Sequence, residues 1–202
     1  MLIPRATAGL SLSQLSQIIN PCGQPNTIAP NENISCDKAL PHIQSAIQQF
    51  GLTSPEAQAM YLSTMAFESG KLTYVKNHYP GRPGQGTYSM MMPNNLFLFV
   101  KDNLNLFSGT QVAGLVSGSY DDSNDSSKSA LLNTLVDPEY AFLPGAWWIT
   151  KGATLANGCS IDMNSSPSID QASSFMSQCI GVDPQGERIQ AYSAALAALK
   201  NQ

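Results

Sequence analysis

The chain has 202 residues and a net charge of −4, and only 12% of its residues are charged. This length suffices for one compact domain with a real hydrophobic core, which we expect over residues 1–202. The negative charge gives no electrostatic reason to expect a nucleic acid partner, and no apolar run is long enough to span a membrane. We expect the protein to be a monomer that binds neither nucleic acid nor membrane.

Apolar residues at helical spacing predict a mainly α (α+β) fold. In the first half they predict helices over 10–19, 40–50, 54–69, 94–107 and 110–118, a loop over 20–35, and a Gly/Pro-rich segment over 71–92 with a short strand at 88–92. In the second half they predict helices over 129–136, 138–150 and 168–180, with loops over 119–129 and 152–167 between them. Asp183 is expected to cap a last helix that starts at Pro184.

The four cysteines form two pairs that are close in the sequence, Cys22 with Cys36 and Cys159 with Cys179. Three connectivities are possible, and we expect the local pairing. No CxxC unit is present and the chain has only two histidines, so two disulfides are favoured over a metal site. Disulfides imply an oxidising compartment, and three N-x-S/T sequons are compatible with secretion.

Residues 1–9 are too short and too interrupted to be a signal peptide. We therefore expect a secreted, extracellular protein whose leader preceded this sequence and has been removed.

Glu68 ends the helix predicted over 54–69, on the apolar face of that helix. Met60, Tyr61 and Met65 share this face because they lie eight, seven and three residues before Glu68. Apolar surroundings and the negative end of the helix dipole both disfavour a charged carboxylate, so we expect a raised pKa for Glu68. Cleavage of a glycosidic bond requires a carboxylic acid of this kind.

The segment over 65–92, MAFESGKLTYVKNHYPGRPGQGTYSMMM, resembles the catalytic segment of lysozyme-like glycoside hydrolases. That superfamily includes goose-type lysozymes, lytic transglycosylases and chitinase-like endolysins. The segment is most similar to fungal secreted proteins that carry ESG, then NHxPGRPGQGT, then a stretch with methionine. A second segment over 137–150, DPEYAFLPGAWWIT, is similar to one that packs behind the catalytic helix in chitinases and endolysins. After GQGT this chain has Tyr-Ser-Met-Met where the fungal proteins usually have Arg-Asn-Met-Gln.

The resemblance implies a lysozyme-like helical domain with a small β element, in which Glu68 is the general acid and no cofactor or metal takes part. It places the substrate along the turn that follows the catalytic helix, with contacts from Ser69, Asn77, Gln85, Gly86, Thr87, Tyr88 and Met91.

An inverting mechanism also needs a second carboxylate that activates water. The spacing of the acidic residues leaves several candidates, namely Asp102, Asp121, Asp122, Asp125, Asp137 and Glu139. We favour Asp122 because a flexible polar loop can reach over a cleft.

These features predict a secreted muramidase that cleaves peptidoglycan, with a polysaccharide as its partner. Chitin or chito-oligosaccharide is the alternative substrate. A secreted carbohydrate-binding or host-interaction protein with little catalysis is the alternative of a different class, which the methionine stretch favours. The stereochemical outcome, and the choice between hydrolysis and transglycosylation, stay open.

Overall fold

The structure is a computed structural model that describes residues 9–201. The prediction about a leader at residues 1–9 falls almost wholly outside these residues. The described part is mainly helical. Its α-helices are α1 (Leu12–Ile18), α2 (Cys36–Gln49), α3 (Pro55–Glu68), α4 (Pro93–Asp102), α5 (Val112–Leu115), α6 (Asp125–Leu135), α7 (Pro138–Ala141), α8 (Leu143–Trp147), α9 (Ala153–Asn157), α10 (Ile169–Ser174) and α11 (Glu187–Lys200). Short 3₁₀ segments lie at Leu104–Phe107 and Met163–Ser165, and π-helical turns at Trp148–Gly152 and Phe175–Ile180.

Helix α3 is the central element, and its predicted position is confirmed. The Ser54 hydroxyl accepts a hydrogen bond from the Ala57 amide at 3.0 Å and donates one to the Met163 carbonyl at 2.8 Å. The first bond caps the helix, and the second attaches its start to a distant segment. Because α3 packs against α1, α8, α11 and the Met163–Ser165 turn, most of its side chains are buried.

Two ion pairs join α3 to α11 at their ends. The Lys200 ammonium lies 2.6 Å from a Glu56 carboxylate oxygen, and the Arg188 guanidinium lies 2.7 Å from a Glu68 carboxylate oxygen. Each pair joins the start of one helix to the end of the other, so α3 and α11 run antiparallel. In this arrangement Glu68, at the end of α3, faces the start of α11.

The strand predicted over 88–92 is wrong. Within residues 9–201 the β structure consists of isolated bridges, from Gly86 to Lys76 and from Gly86 to Met91. Thr87 and Met90 have φ values of 62° and 44°, and the Met90 amide donates to the Thr87 carbonyl at 3.0 Å. Positive φ values at both positions bend the chain into a tight turn, which an extended strand does not allow.

The helix predicted over 94–107 divides into α4 and a 3₁₀ segment. Asn103 ends α4, and its side-chain amide donates to the Phe99 carbonyl at 2.8 Å. The helix predicted over 110–118 is limited to the single turn Val112–Leu115.

Three further boundaries differ from the prediction. Helix α6 begins inside the predicted polar loop because the Asn124 side chain caps it, accepting from the Ser127 amide at 2.9 Å. The last helix begins at Glu187, because Asp183 instead accepts from the Gln185 amide in a turn. The loop predicted over 152–167 contains α9, which continues the preceding helix through a π-helical turn.

The two predicted disulfides are confirmed. Cys22 pairs with Cys36 and Cys159 pairs with Cys179, with Cα–Cα distances of 5.6 and 5.3 Å. The first bridge ties the loop over 20–35 to the start of α2, and the second ties the segment after α9 to the π-helical turn after α10. No helix in the part of the chain that the structure describes has the length and apolar composition needed to cross a membrane.

Candidate functional site

A cavity of about 200 Å³ lies beside the C-terminal half of α3 and contains the predicted acid, Glu68. Its other walls come from the turn before α4, from the junction of α8 with the π-helical turn, and from the segment before α11. The apolar part of its lining consists of Met65, Met90, Met91, Met92, Trp148, Ile149, Ile180 and Val182. The polar side chains in the lining are Tyr61, Thr64, Glu68, Gln85, Ser89 and Asn95.

Glu68 is paired rather than isolated. The Arg188 guanidinium donates to its carboxylate at 2.7 Å, and the two side chains are only 21% and 23% exposed, for Arg188 and Glu68 respectively. The guanidinium also lies over the Phe67 ring, 3.9 Å from its centroid, which holds it in place. The sequence argument placed Glu68 among apolar side chains and did not identify Arg188 as its charged partner. The positive charge comes from a residue 120 positions later in the chain.

The turn over 85–92 supplies three thioethers and is held by hydrogen bonds of its own. The Gln85 side chain donates to the Met90 carbonyl at 3.0 Å, and the Arg82 guanidinium donates to the Met92 sulfur at 2.9 Å. Gly86 is needed at its position because a Cβ atom there would lie 2.6 Å from the Val75 carbonyl oxygen. Glycine at this position therefore allows two backbone segments to approach closely beside the turn.

The polar side chains of the lining differ in whether they already form hydrogen bonds within the protein. The Tyr61 hydroxyl donates to the Phe142 carbonyl at 2.8 Å, and burial raises the pKa of Tyr61 far above its ordinary value. The Ser89 hydroxyl has no hydrogen-bond partner among residues 9–201, and the Asn95 amide nitrogen has none there either. Ser89 and Asn95 are thus the groups most able to bind a polar atom of a ligand.

Three of the nine predicted catalytic and substrate-binding residues line this cavity, namely Glu68, Gln85 and Met91. The others lie elsewhere. Ser69 is fully buried, where its hydroxyl donates to the Met65 carbonyl at 2.7 Å and accepts from the Leu72 amide at 2.8 Å.

Four further predicted contacts belong to the framework behind the cavity. The Asn77 side chain accepts from the amides of Gly81 and Arg82 at 2.9 and 3.2 Å, and Gly86 forms the close approach described above. Thr87 is fully buried. The Tyr88 ring stacks on Phe142, with centroids 4.6 Å apart, and its hydroxyl donates to the Glu32 carbonyl at 3.0 Å.

Asp122 does not reach the cavity. It is exposed, accepts from the Tyr120 hydroxyl at 2.8 Å and lies 3.7 Å from the Lys128 ammonium. In the described residues Glu68 is the one carboxylate in the lining, so none of the six candidates for a second carboxylate stands beside it.

The far wall of the cavity is formed by Trp148, Ile180 and Val182. The sequence argument did not predict Ile180 or Val182, nor Arg188, which pairs with Glu68 beside the cavity. All of these residues come from the last third of the chain. The π-helical turn Trp148–Gly152 begins at this wall, and the π-helical turn Phe175–Ile180 ends at it. A π-helical turn leaves no distinctive apolar spacing in the sequence, but such turns are frequent at functional sites once the structure is known.

Comparison with known proteins shows that most of the chain is similar to a small part of a much longer protein. No protein-family model matches the chain. A stretch of 151 residues, 73% of the chain, is 36% identical to part of a protein from Fusarium oxysporum (strain Fo5176) named bifunctional dioxygenase (DOX)-epoxy alcohol synthase (EAS). The chain spans 11% of the length of that relative.

This similarity overturns the functional prediction. The relative's name describes oxygenation and epoxy alcohol synthesis, not cleavage of a glycosidic bond. The assignments as a glycoside hydrolase, as a muramidase and as a chitinase, and the polysaccharide partner, are therefore wrong.

Proposed function

We propose that this chain is a binding domain for a small, neutral, mainly aliphatic molecule that carries oxygen functions, of the epoxy alcohol class. The observation that carries the proposal is the composition of the cavity at Glu68. It combines an apolar wall, a few uncommitted polar groups and a balanced charge.

The apolar wall favours an aliphatic ligand. Thioethers, an indole ring and branched aliphatic side chains surround most of the space, and burial of apolar ligand surface against them is favourable. Methionine side chains adapt to ligands of irregular shape. A volume of about 200 Å³ has room for roughly seven groups of the size of a water molecule, which corresponds to a short aliphatic chain.

The polar groups and the charge balance favour a neutral, oxygenated ligand. Ser89 and Asn95 offer donors to a hydroxyl or epoxide oxygen. An anionic ligand would face the Glu68 carboxylate, the one charged side chain that residues 9–201 contribute to the lining. Burial of a second negative charge beside it is costly, so a neutral oxygenated molecule fits better than a carboxylate.

The similarity to the dioxygenase–epoxy alcohol synthase supports the choice of chemical class, since an epoxy alcohol combines an aliphatic chain with two oxygen functions. The binding role is proposed rather than either named activity, because the chain matches only a small part of that relative.

We also infer that the chain forms a single, secreted domain with a lysozyme-like arrangement of its helices. The position of Glu68 at the end of α3, followed by a Gly/Pro-rich turn, supports the arrangement. The two disulfides support an oxidising compartment.

Binding is tested by titrating isotope-labelled protein with 2,3-epoxypentan-1-ol, which has about as many non-hydrogen atoms as the cavity holds, and following the Trp148 indole and methionine methyl signals. We expect saturable shifts with a dissociation constant of about 0.1–1 mM, because so small a ligand yields roughly −4 to −5.5 kcal/mol. Pentanoate, which has the same chain length and a negative charge, is expected to bind at least about tenfold more weakly.

A matched pair of variants locates the site. Ile180→Phe narrows the cavity, whereas Ile169→Phe makes the same change on the exposed surface of α10. The first should weaken binding about tenfold or more and the second should leave it unchanged. Absence of saturable shifts in the folded protein, or equal binding by the two variants, would overturn the proposal.

A further inference from the structure

We propose that the thioethers of Met65, Met90 and Met91 form a binding site for a soft monovalent metal ion, Cu(I). This proposal is independent of the proposed function. It rests on the presence, in the lining of one cavity, of three thioethers without hydrogen-bond partners among residues 9–201, and a bound ion would compete with an aliphatic molecule for that space.

Four of the eight methionines of the chain line the same cavity. Met65 reaches it from α3, and Met90, Met91 and Met92 reach it from the opposite turn. The Met92 sulfur is engaged by the Arg82 guanidinium at 2.9 Å. The sulfurs of Met65, Met90 and Met91 have no hydrogen-bond partner within residues 9–201, so they remain available as ligands.

Burial and mobility suit these three side chains to a metal. Met65 and Met91 are 1% and 7% exposed, and Met90 is half-buried at the opening of the cavity. Each thioether is carried on three rotatable bonds. All three side chains border the same space of about 200 Å³, so their sulfurs are the soft donors that an ion in this space would meet.

The cysteines and histidines of the chain, which could also bind a soft ion, form other contacts. All four cysteines are in disulfides, and there is no free cysteine in the described part of the chain. His78 contacts the Glu32 carboxylate at 3.0 Å, and His42 stacks on Phe142 with ring centroids 5.9 Å apart. Neither histidine lines the cavity, which leaves the thioethers as its soft ligands.

The chemistry of these donors selects the ion. No cluster of three or more His, Cys, Asp or Glu side chains that could hold a metal occurs in residues 9–201, so Zn²⁺, Ca²⁺ and Mg²⁺ find no suitable ligand set there. Neutral thioethers favour Cu(I) over harder ions. A monovalent ion is also easier to desolvate than a divalent one, which matters in a largely apolar cavity.

The test uses Ag(I), which has the same charge and ligand preference as Cu(I) but does not change oxidation state. Protein labelled at the methionine methyl carbons is titrated with silver nitrate in a chloride-free buffer. We expect one equivalent to bind, with shifts confined to the signals of Met65, Met90, Met91 and the neighbouring Met92. The titration is then repeated with Cu(I) under anaerobic conditions, and the disulfides are checked to remain intact.

Methionine-to-leucine variants preserve the volume of the side chain and remove only the sulfur, so they should fold. Met65→Leu and Met91→Leu should each weaken Ag(I) binding at least about tenfold, corresponding to about 1.4 kcal/mol. Met163→Leu removes a buried thioether that does not line the cavity and should have no effect. Absence of saturable binding, or full binding by a variant that lacks all three sulfurs, would show that the site does not exist.

Discussion

At the scale of single residues, two buried hydroxyls on the segment after α3 differ in their hydrogen bonding. The Ser69 hydroxyl accepts a hydrogen bond from the Leu72 amide and donates one to the Met65 carbonyl, so it provides partners for two backbone groups where the chain leaves α3. The Thr87 hydroxyl is buried and has no hydrogen-bond partner in the portion of the chain that is described. Both residues were predicted as substrate contacts, and both are fully buried.

This difference in hydrogen bonding predicts that removal of the two hydroxyls has opposite effects on the free energy of unfolding. Ser69→Ala leaves the buried Leu72 amide without its acceptor and should lower the free energy of unfolding by about 1–3 kcal/mol. Thr87→Val retains the branched shape and removes an unsatisfied polar group, so stability should stay equal or rise by up to about 1 kcal/mol. Urea unfolding of both variants beside the wild type measures this. A loss in Thr87→Val as large as that in Ser69→Ala would mean that the Thr87 hydroxyl is hydrogen-bonded to water.

At the scale of elements, Asp102 joins α4 to the junction that forms one wall of the cavity. Its carboxylate accepts from the Trp147 indole at 2.8 Å and from the Lys151 ammonium at 2.6 Å. Burial by itself would raise the pKa of Asp102, but the hydrogen bonds from Lys151 and Trp147 outweigh it and hold this pKa below its usual value. The ionised carboxylate is therefore the form that holds the two elements together.

This lowered pKa predicts an acid-dependent loss of stability. A carboxyl group whose pKa is lower in the folded than in the unfolded protein stabilises the fold above about pH 4, the unfolded value, and ceases to do so as the pH falls through the folded value. Asp102→Asn should therefore cost about 1–2 kcal/mol at pH 7 and markedly less at pH 3. Glu139→Gln, which removes an exposed carboxylate without side-chain hydrogen bonds among residues 9–201, is the control. A cost of Asp102→Asn that is the same at both pH values would contradict this account.

At the scale of the whole molecule, the two disulfides restrain the two irregular parts of the chain. One closes the loop over 20–35, from which Glu32 accepts hydrogen bonds from the Val75 and Lys76 amides at 2.9 and 3.1 Å. The other holds the π-helical turn that carries Ile180 into the cavity wall. Each bridge thus supports segments that lie behind the site.

Removal of either bridge should destabilise the protein by a similar amount. The sequence separations are 14 and 20 residues, and the chain-entropy model gives about 3 kcal/mol for a loop of either length. Cys22→Ala with Cys36→Ala, and Cys159→Ala with Cys179→Ala, should each lower the free energy of unfolding by about this amount, and the two losses should add. Urea unfolding of the two double variants and of the quadruple variant measures both. A combined loss far below the sum would indicate that the bridges restrain one coupled region.

Much of the fold could be predicted from local sequence. The position of α3 followed from Ser54, Pro55 and the apolar face that ends at Glu68, because capping and helical periodicity are short-range properties. The predicted strand at 88–92 failed because Thr87 and Met90 adopt positive φ values, which residues of these types rarely do. The start of α6 was predicted too late because its first residues are polar and lack apolar periodicity. The Asn124 cap that begins the helix is visible only in the structure.

The sequence by itself determined that the protein is mainly helical and that Glu68 ends a helix with an apolar face. It favoured the local pairing of the cysteines among three possible connectivities, and the structure decided it. The tertiary structure alone decided what surrounds Glu68. Arg188 approaches it across 120 positions of the chain, and Ile180 and Val182 close the cavity from the same distant region. Antiparallel packing of α11 on α3 creates these contacts, and such packing depends on the joint fit of many side chains rather than on any local pattern. The same packing makes a carboxylate that was expected among apolar side chains one half of an ion pair at an apolar, sulfur-rich cavity.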